Sequence, residues 1–505
     1  MKMIQTRKTG SNLLANLFGR IWTMVASFIF VPLYIRYLGE EAYGLVTFFT
    51  TLQSLLAILG LGLSKTLRRE FALGDESDRT RAYKYKMLRS MEFLYAGVCL
   101  LIVLICYLSA KDIANQWLKI DRLDIRLVES TVQIMGLSIA LQIMANLYQG
   151  GIFGLEYQVL ANSIQIGWSS VKSIGAVILL ASCSINVFQF YLWYVFSDLL
   201  FALIARLYVV KLINKREKWR ISDLALLKNV WKFAAGILVV SVISTINTQI
   251  DKLIISKNLS LVELGAYNTS NLAASVTYVL ASAIAVVAFT RFAREYSTKQ
   301  TEIYTKTFLD ANNTVALIVV ALGTYLTVFI REILTVWTQN EEITRIAMLA
   351  APMQVVGGMC LALQVIPYEF LLACGNTRIN NILGICNVVL SLILTPWMIR
   401  LHGIRGAGLS YMIIMVCSTI GFLTVVYVIN IRKGLMRWLI RDILIPMALC
   451  FAAAWATRTF LDWIGWNDIM KIAFAVLSGS MVLMIELFII RRGQTDSILH
   501  RIKDH

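Results

Sequence analysis

Long apolar runs recur along the whole chain, separated by short polar or basic connections. A helix needs roughly 20 apolar residues to cross the hydrocarbon core of a bilayer. Runs of that kind fall at about 11–35, 42–64, 88–109, 126–148, 157–181, 187–209, 231–255, 265–290, 308–330, 344–372, 379–399, 407–430, 442–461 and 469–490. The pattern predicts an all-α integral membrane protein with about fourteen transmembrane helices. The boundaries are least distinct around Gly150–Gly154 and Ala373–Thr377, where one stretch almost runs into the next. The longest connections, Lys65–Met87 and Lys211–Asn229, are too short for a soluble domain of about 50 residues or more.

Composition agrees with that pattern. Of 505 residues, 58% are hydrophobic and 15% charged. A soluble domain has about 25% charged residues, needed to cover its surface. The net charge of +17 raises the question of nucleic acid, but membrane topology explains it more simply, because cytoplasmic loops are rich in Lys and Arg. With the N-terminus inside, inner segments hold about 29 Lys and Arg and outer loops about 10. The cluster Lys65, Arg68, Arg69, Arg79, Arg81, Lys84, Lys86 and the run Lys211–Arg220 both fall inside. An even number of spans puts both basic termini in the cytoplasm.

The opening MKMIQTRKTGSN has the charge of a signal peptide. The apolar stretch after it is too long, carries Arg20 and has no clear small-residue cleavage site, so it reads as the first span. The eight cysteines lie in or beside apolar segments without a CxxC pair and read as buried thiols. His402, His500 and His505 lie in a loop and the tail, and no metal site is expected.

An internal repeat organises the spans. Ala42-Tyr43 matches Ala266-Tyr267, 224 residues on, and Arg69-Glu70 matches Arg294-Glu295 at 225. Ala140-Leu141-Gln142 matches Ala362-Leu363-Gln364 at 222, and Gly154 matches Gly375 at 221. Six spans per repeat return the chain to the same side, so the halves share one orientation, as in transporters with parallel repeats. The expected organisation is an N-terminal lobe over 1–210 (helices 1–6), a cytoplasmic linker over 211–227 and a C-terminal lobe over 228–433 (helices 7–12). Helices 13 and 14 over 434–492 and a cytoplasmic tail over 493–505 lie outside the repeat.

Polar residues inside spans are costly and face partners or a water-filled cavity. Asn12, Asn16, Arg20, Thr23 and Ser27 lie on one face of span 1. Ser241, Thr245, Thr248 and Asp251, with Lys252 adjacent, repeat the pattern in span 7. Span 5 carries Asn162, Gln165, Ser169 and Lys172, and span 8 carries Asn268, Asn271, Ser275 and Ser282. Two readings stand for the uncharged members, helix–helix hydrogen bonding and the lining of a cavity.

The charges separate those readings better. Arg20 lies roughly 10 Å into its span at 1.5 Å per residue, so it either snorkels or faces the cavity. Lys172 is nearer mid-span. Asp251 is too short to snorkel far and either pairs with a cation or exchanges protons. Asp198 and Arg206 share a face of span 6 and either pair or serve the cavity. Glu369 sits near the inner end of span 10, while Arg291 and Arg294 read as snorkelling anchors. The candidate substrate-binding cations are therefore Arg20, Lys172 and Lys252, since fixed cations in a low dielectric attract an anionic headgroup, above all phosphate. The candidate coupling carboxylates are Asp251, Asp198 and Glu369. The candidate lining is Asn16, Thr23, Ser27, Asn162, Gln165, Thr245, Thr248, Asn271 and Ser275.

The opening NLLANLFGRIWTMVASFIFVPLYIRYLGEEAYGLVTF resembles that of bacterial polysaccharide repeat-unit (O-antigen type) flippases of the multidrug/oligosaccharidyl-lipid/polysaccharide exporter superfamily. Its first span ends in VPLYIRYLG and leads into Tyr43-Gly44. TQIDKLIISKNLSLVELGAYNTSNLA is similar to the second-half signature, with Asp251 and Gly265-Ala266-Tyr267. The resemblance runs from end to end and rests on the order and spacing of motifs that are individually soft. It implies two pseudo-symmetric six-helix lobes with two extra helices, working by alternating access. It implies a cargo of undecaprenyl-diphosphate-linked oligosaccharide, moved from the cytoplasmic to the periplasmic leaflet of the bacterial inner membrane for O-antigen, lipopolysaccharide or a related surface glycan. Partners would be that lipid, membrane lipids and other polysaccharide assembly proteins such as a polymerase and a chain-length regulator, with the protein itself a monomer. No cofactor is implied, and coupling to H+ or Na+ stays open. The related lipid II flippases carry a functional Arg in a Phe-Ser-Arg context, which Phe18-Gly19-Arg20 matches. Their second span-1 Arg has no counterpart here, the position near Ala26 being apolar, which argues against a peptidoglycan precursor as cargo.

Two other classes compete. A drug or cation extruder of the same fold would want an acidic, aromatic-lined cavity, against which Arg20 and Lys172 count. A membrane glycosyltransferase or polymerase would want an acidic cluster, a Gly-rich phosphate loop or a large outer loop. The sequence has no such cluster or loop motif, and its largest outer loops, Ala110–Ile125 and Arg331–Ile343, are small, so an enzyme is not expected.

Overall fold

Helices account for nearly all of the described residues, and glycines and side-chain caps mark several of the places where one stops and the next begins. The computed structural model describes residues 22, 25–73, 77–183, 185–214, 217–297, 301–431 and 435–503. Helix α1 (Val25–Leu38) ends at Gly39, whose φ of 85° is a conformation glycine adopts without steric cost. Glu40 and Glu41 then open α2 (Glu40–Ala72), where acidic residues suit the positive end of the helix dipole. Ser77 caps α3 (Asp78–Asp112) by accepting from Thr80 N–H at 3.3 Å. Asp124 caps α4 (Ile125–Gly154) through Arg126 N–H at 3.0 Å. Helix α5 (Gln158–Cys183) follows a short turn. A reciprocal box between Asn186 and Gln189 starts α6 (Val187–Ile213).

Beyond the linker come α7 (Leu227–Asn258), α8 (Leu261–Ser297), α9 (Thr301–Val328), α10 (Ile330–Thr338) and α11 (Glu341–Ala347). They are followed by α12 (Ala351–Leu363), α13 (Val365–Ala373), α14 (Thr377–Thr424), α15 (Leu435–Trp438), α16 (Ile445–Ile464) and α17 (Asp468–Lys503). Among the described residues, eleven helical stretches are long and apolar enough to cross a membrane. One of them, Thr377–Val428, contains two expected spans joined through Gly403, whose φ of 58° breaks the helix. The first expected span lies largely outside the described residues. The supposed connection Lys65–Met87 is mostly helix, because α2 and α3 run on past their apolar runs and so keep their backbone groups hydrogen-bonded.

Apolar side chains point outward in stripes. Leu100, Leu104 and Leu108 of α3 and Leu477 and Met484 of α17 are exposed, while polar side chains such as Ser138, Asp198 and Gln354 are buried. That distribution is the reverse of a water-soluble protein's and fits a lipid solvent.

The chain forms two compact units, Met1–Gly265 and Ala266–His505. This division differs from the repeat-derived boundary at 211–227, because α7 packs along α2 and so is counted with the first unit. The linker is docked there as well. Trp219 Nε1 donates to Ser90 Oγ at 3.0 Å, Ser90 Oγ donates to the Asp223 carbonyl at 3.2 Å, and Trp219 packs on Phe93. In the second unit an aromatic core of Phe292, Phe308, Phe370, Tyr427 and Trp438 holds α8, α9, α13 and the chain around α15 together. Helices α16 and α17, outside the repeat, pack on α9. A groove of about 220 Å³ lined by side chains such as Leu280, Leu322, Phe329, Val476 and Leu483 runs between α8, α9 and α17.

Candidate functional site

The strongest charged feature of the first unit is an ion pair between α5 and α6. Trp168 and Lys172 lie one turn apart on α5, as do Tyr194 and Asp198 on α6, so each helix presents an aromatic and a charge on one face. Lys172 Nζ donates to Asp198 Oδ1 at 2.8 Å and Oδ2 at 3.0 Å. Trp168 Nε1 donates to Oδ1 at 3.1 Å, and Ser138 Oγ of α4 donates to Oδ2 at 2.5 Å. The ammonium also lies 4.2 Å from the Tyr194 ring centroid and 5.0 Å from that of Trp168, a cation–π cradle. Trp193 Nε1 fixes the backbone behind it by donating to the Lys172 carbonyl at 2.9 Å. Asp198 is fully buried.

Asp198 therefore does not pair with Arg206 two turns along its own helix. Arg206 Nε instead donates to Glu92 Oε1 on α3 at 2.7 Å, and Arg89 binds the other oxygen of Glu92 at 2.5 Å. The reason is direction: α6 carries Asp198 toward α4 and α5, and Arg206 toward α3. Lys172, one of the three expected cavity cations, has its charge balanced by Asp198 in this structure.

The other candidates divide. Arg20, Asn16 and Thr23 lie outside the described residues. Ser27 is exposed. Asn162 is buried and donates to the Gln158 carbonyl of its own helix at 2.8 Å, while Gln165 accepts from Gln149 Nε2 across α4 and α5 at 2.7 Å. The Gln165 bond joins two helices, whereas this Asn162 bond stays within one. On α7, Asp251 and Lys252 are adjacent and half-buried, Thr245 is half-buried, and Thr248 is exposed with its hydroxyl on the Thr245 carbonyl at 3.0 Å. In the second unit, Asn271 and Ser275 are half-buried on α8, with Ser275 Oγ on the Leu272 carbonyl at 2.6 Å, and Glu369 is half-buried on α13.

Polar networks that sequence reasoning missed are more extensive. Gln364 donates to Thr419 Oγ1 and accepts from Ser418 Oγ, each at 2.9 Å, and Asn387 donates to Ser418 Oγ at 2.9 Å. Gln354 donates to the Tyr267 carbonyl at 3.2 Å and accepts from Ser270 Oγ. At the repeat offset of 222, Gln165 corresponds to Asn387 and Ser197 to Thr419. Lys172 and Asp198 themselves correspond to Leu394 and Ile420, so the second unit is neutral where the first holds an ion pair. The repeat already aligned Gln364 with Gln142, a signal that points to this network. Among the described residues, no group of three or more His, Cys, Asp or Glu is placed to hold a metal ion.

Comparison with known proteins follows the fold. A family model described as polysaccharide biosynthesis protein matches residues 7–295, and a second, MatE, matches residues 237–397. The chain is similar to a solved lipid II flippase, MurJ, in an inward closed conformation, at 15% identity over 96% of this chain and 99% of that one, with a TM-score of 0.72. It is similar to a multidrug resistance MATE family transporter in an inward-facing conformation at 14% identity, over 80% and 93%, with a TM-score of 0.63. A mutant of the Vibrio cholerae MATE transporter VcmN matches at 12% identity, over 84% and 98%, with a TM-score of 0.56. No curated protein matches in sequence. The chain thus shares the all-helical fold of these solved flippase and transporter structures.

Proposed function

Because the chain belongs to the polysaccharide biosynthesis protein family, we propose that it flips an undecaprenyl-diphosphate-linked oligosaccharide repeat unit from the cytoplasmic to the periplasmic leaflet. The family match over the first half of the chain is the observation that carries this reading. Short connections and inward-facing polar side chains support it, since a flippase needs a polar path for a headgroup and no soluble catalytic domain.

The inner, basic side is the one bearing the Lys65–Lys86 cluster, with both termini cytoplasmic. The two six-helix repeats alternate access, with Arg20 and Lys252 drawing in the diphosphate and the polar faces of the first span and α7 following the sugars. Asp251 and Glu369 are the carboxylates available for H+ or Na+ coupling. Asp198 enters this scheme together with Lys172, as a pair that orients α5 and α6 around the path. A polymerase and a chain-length regulator would receive the flipped unit for O-antigen or a related glycan.

The test is a deletion strain analysed for lipid-linked saccharides. The reading expects the complete repeat unit to accumulate on its lipid at the inner leaflet and surface glycan to disappear. Loss of glycan without accumulation would count against flipping. The MatE match over the second half supports a second reading, extrusion of cationic drugs. In that case ethidium efflux falls on deletion while surface glycan is unchanged.

A further inference from the structure

At the Glu40 end of the first unit, the loop between α3 and α4 spans two elements from different repeats. Glu41, at the start of α2, is 4% exposed and holds the loop on the first repeat. Its carboxylate accepts three consecutive backbone N–H groups, Asp121 at 2.6 Å and Arg122 and Leu123 at 2.8 Å each. Arg122 adds an ion pair to Glu40 at 3.7 Å. The preceding residues of the same loop grip the first helix of the second repeat. Trp117 Nε1 donates to Ser256 Oγ at 3.0 Å, and Lys119 Nζ donates to the Asn258 carbonyl at 2.5 Å. Lys119 and Ser260 form a parallel β-bridge, Leu261 N–H donates to the Lys119 carbonyl at 3.3 Å, and Lys257 lies over the Trp117 ring at 5.0 Å.

Under the strap the two repeats touch backbone to backbone. A Cβ on Gly44 of α2 would lie 1.9 Å from the Leu261 carbonyl oxygen. All these contacts lie between the first repeat and the α7–α8 corner, so they must break if that end of the bundle opens. The Glu41 contacts lie within the first repeat and need not.

We propose that Trp117–Leu123 is a strap that latches the Glu40 end of the transporter shut, with Glu41 as its fixed anchor and Trp117 and Lys119 as the grip that releases. The proposal rests on the alternating-access reading but not on the identity of the cargo. Glu41 is a positioning residue: it keeps the loop where Trp117 and Lys119 can reach α7. The strap weights the closed state by a handful of hydrogen bonds, and losing one changes an open–closed ratio by about fivefold to tenfold.

Two measurements test it, in a protein with its native cysteines replaced. Leu261 is 1% exposed under the strap. Maleimide labelling of purified Leu261→Cys is expected to speed up about fivefold to tenfold on adding Glu41→Gln, or on adding Trp117→Phe, which removes the indole donor to Ser256. Unchanged labelling in both would overturn the latch, and Trp117→Phe decides the matter if Glu41→Gln does not fold. Lys119→Cys with Ser260→Cys, at a bridged pair suited to a disulfide, is expected to stop transport when oxidised and restore it when reduced. Transport at the unlocked rate through the locked protein would also overturn it. If the parent protein moves no saccharide lipid at all, the cargo assignment fails, while the labelling still decides the strap.

Discussion

Removing the charge of Asp198 tests whether the α5–α6 ion pair is a packing element or part of the transport path. In Asp198→Asn, the side chain keeps its size but puts an amide NH2 among donors that all point at it, Lys172 Nζ, Trp168 Nε1 and Ser138 Oγ. Lys172, only 7% exposed, loses the counter-ion of its ammonium. Breaking a buried pair from one side costs about 3–5 kcal/mol. Lys172→Met leaves a fully buried carboxylate with two neutral donors and falls at the lower end of that range. Lys172→Met with Asp198→Leu removes both charges and is expected to lie within about 1 kcal/mol of the parent, as apolar replacements of buried pairs often do. With Asp198→Leu as the second single variant, also expected to cost about 3–5 kcal/mol, the double-mutant cycle should give a coupling of at least about 5 kcal/mol. The assay is unfolding free energy in bicelles by steric trapping, with transport measured on the same proteins. A double variant no more stable than Asp198→Asn would refute the reasoning. Transport retained in the double variant assigns the pair to packing; transport lost with stability intact assigns the Lys172 charge to the substrate path.

Gly44→Ala puts a methyl group against a backbone carbonyl that cannot rotate away, and should destabilise the protein by about 1–3 kcal/mol or more. Gly236→Ala on α7 meets nothing within 4 Å and should stabilise it by up to about 1 kcal/mol; equal melting shifts for the two would count against the close α2–Leu261 contact. Arg20→Ala should abolish saccharide-lipid transport while membrane expression stays at the parent level, as quantified by immunoblot and glycan staining. Full transport in that variant removes Arg20 from the substrate path.

The polar positions show how far pattern reading reaches. Period and spacing set Lys172 among the polar residues of span 5 and Asp198 beside Arg206 on span 6, because helical geometry is local, and they gave Trp168 and Tyr194 no role. They suggested Arg206 for Asp198 since both lie on one face of one helix. Which neighbour meets that face depends on α4 and α5 arriving beside α6, a matter of long-range packing. Gln364 stood in the repeat match without a role, because its partners Ser418 and Thr419 are more than fifty residues away.

Glu41 is the plainest case. In sequence it reads as an acid opening a helix, favourable to the helix dipole. Folded, it holds three backbone N–H groups of a loop eighty residues on. The chain by itself determined its solvent, its helices and its two-fold repeat, because apolar run length and period are properties of neighbouring residues. Only tertiary structure decided which buried charge met which, how α7 came to lie against α2, and where a loop became a strap. A polar group buried away from water takes whatever partner packing brings within about 3 Å, and that partner is seldom its neighbour in the chain.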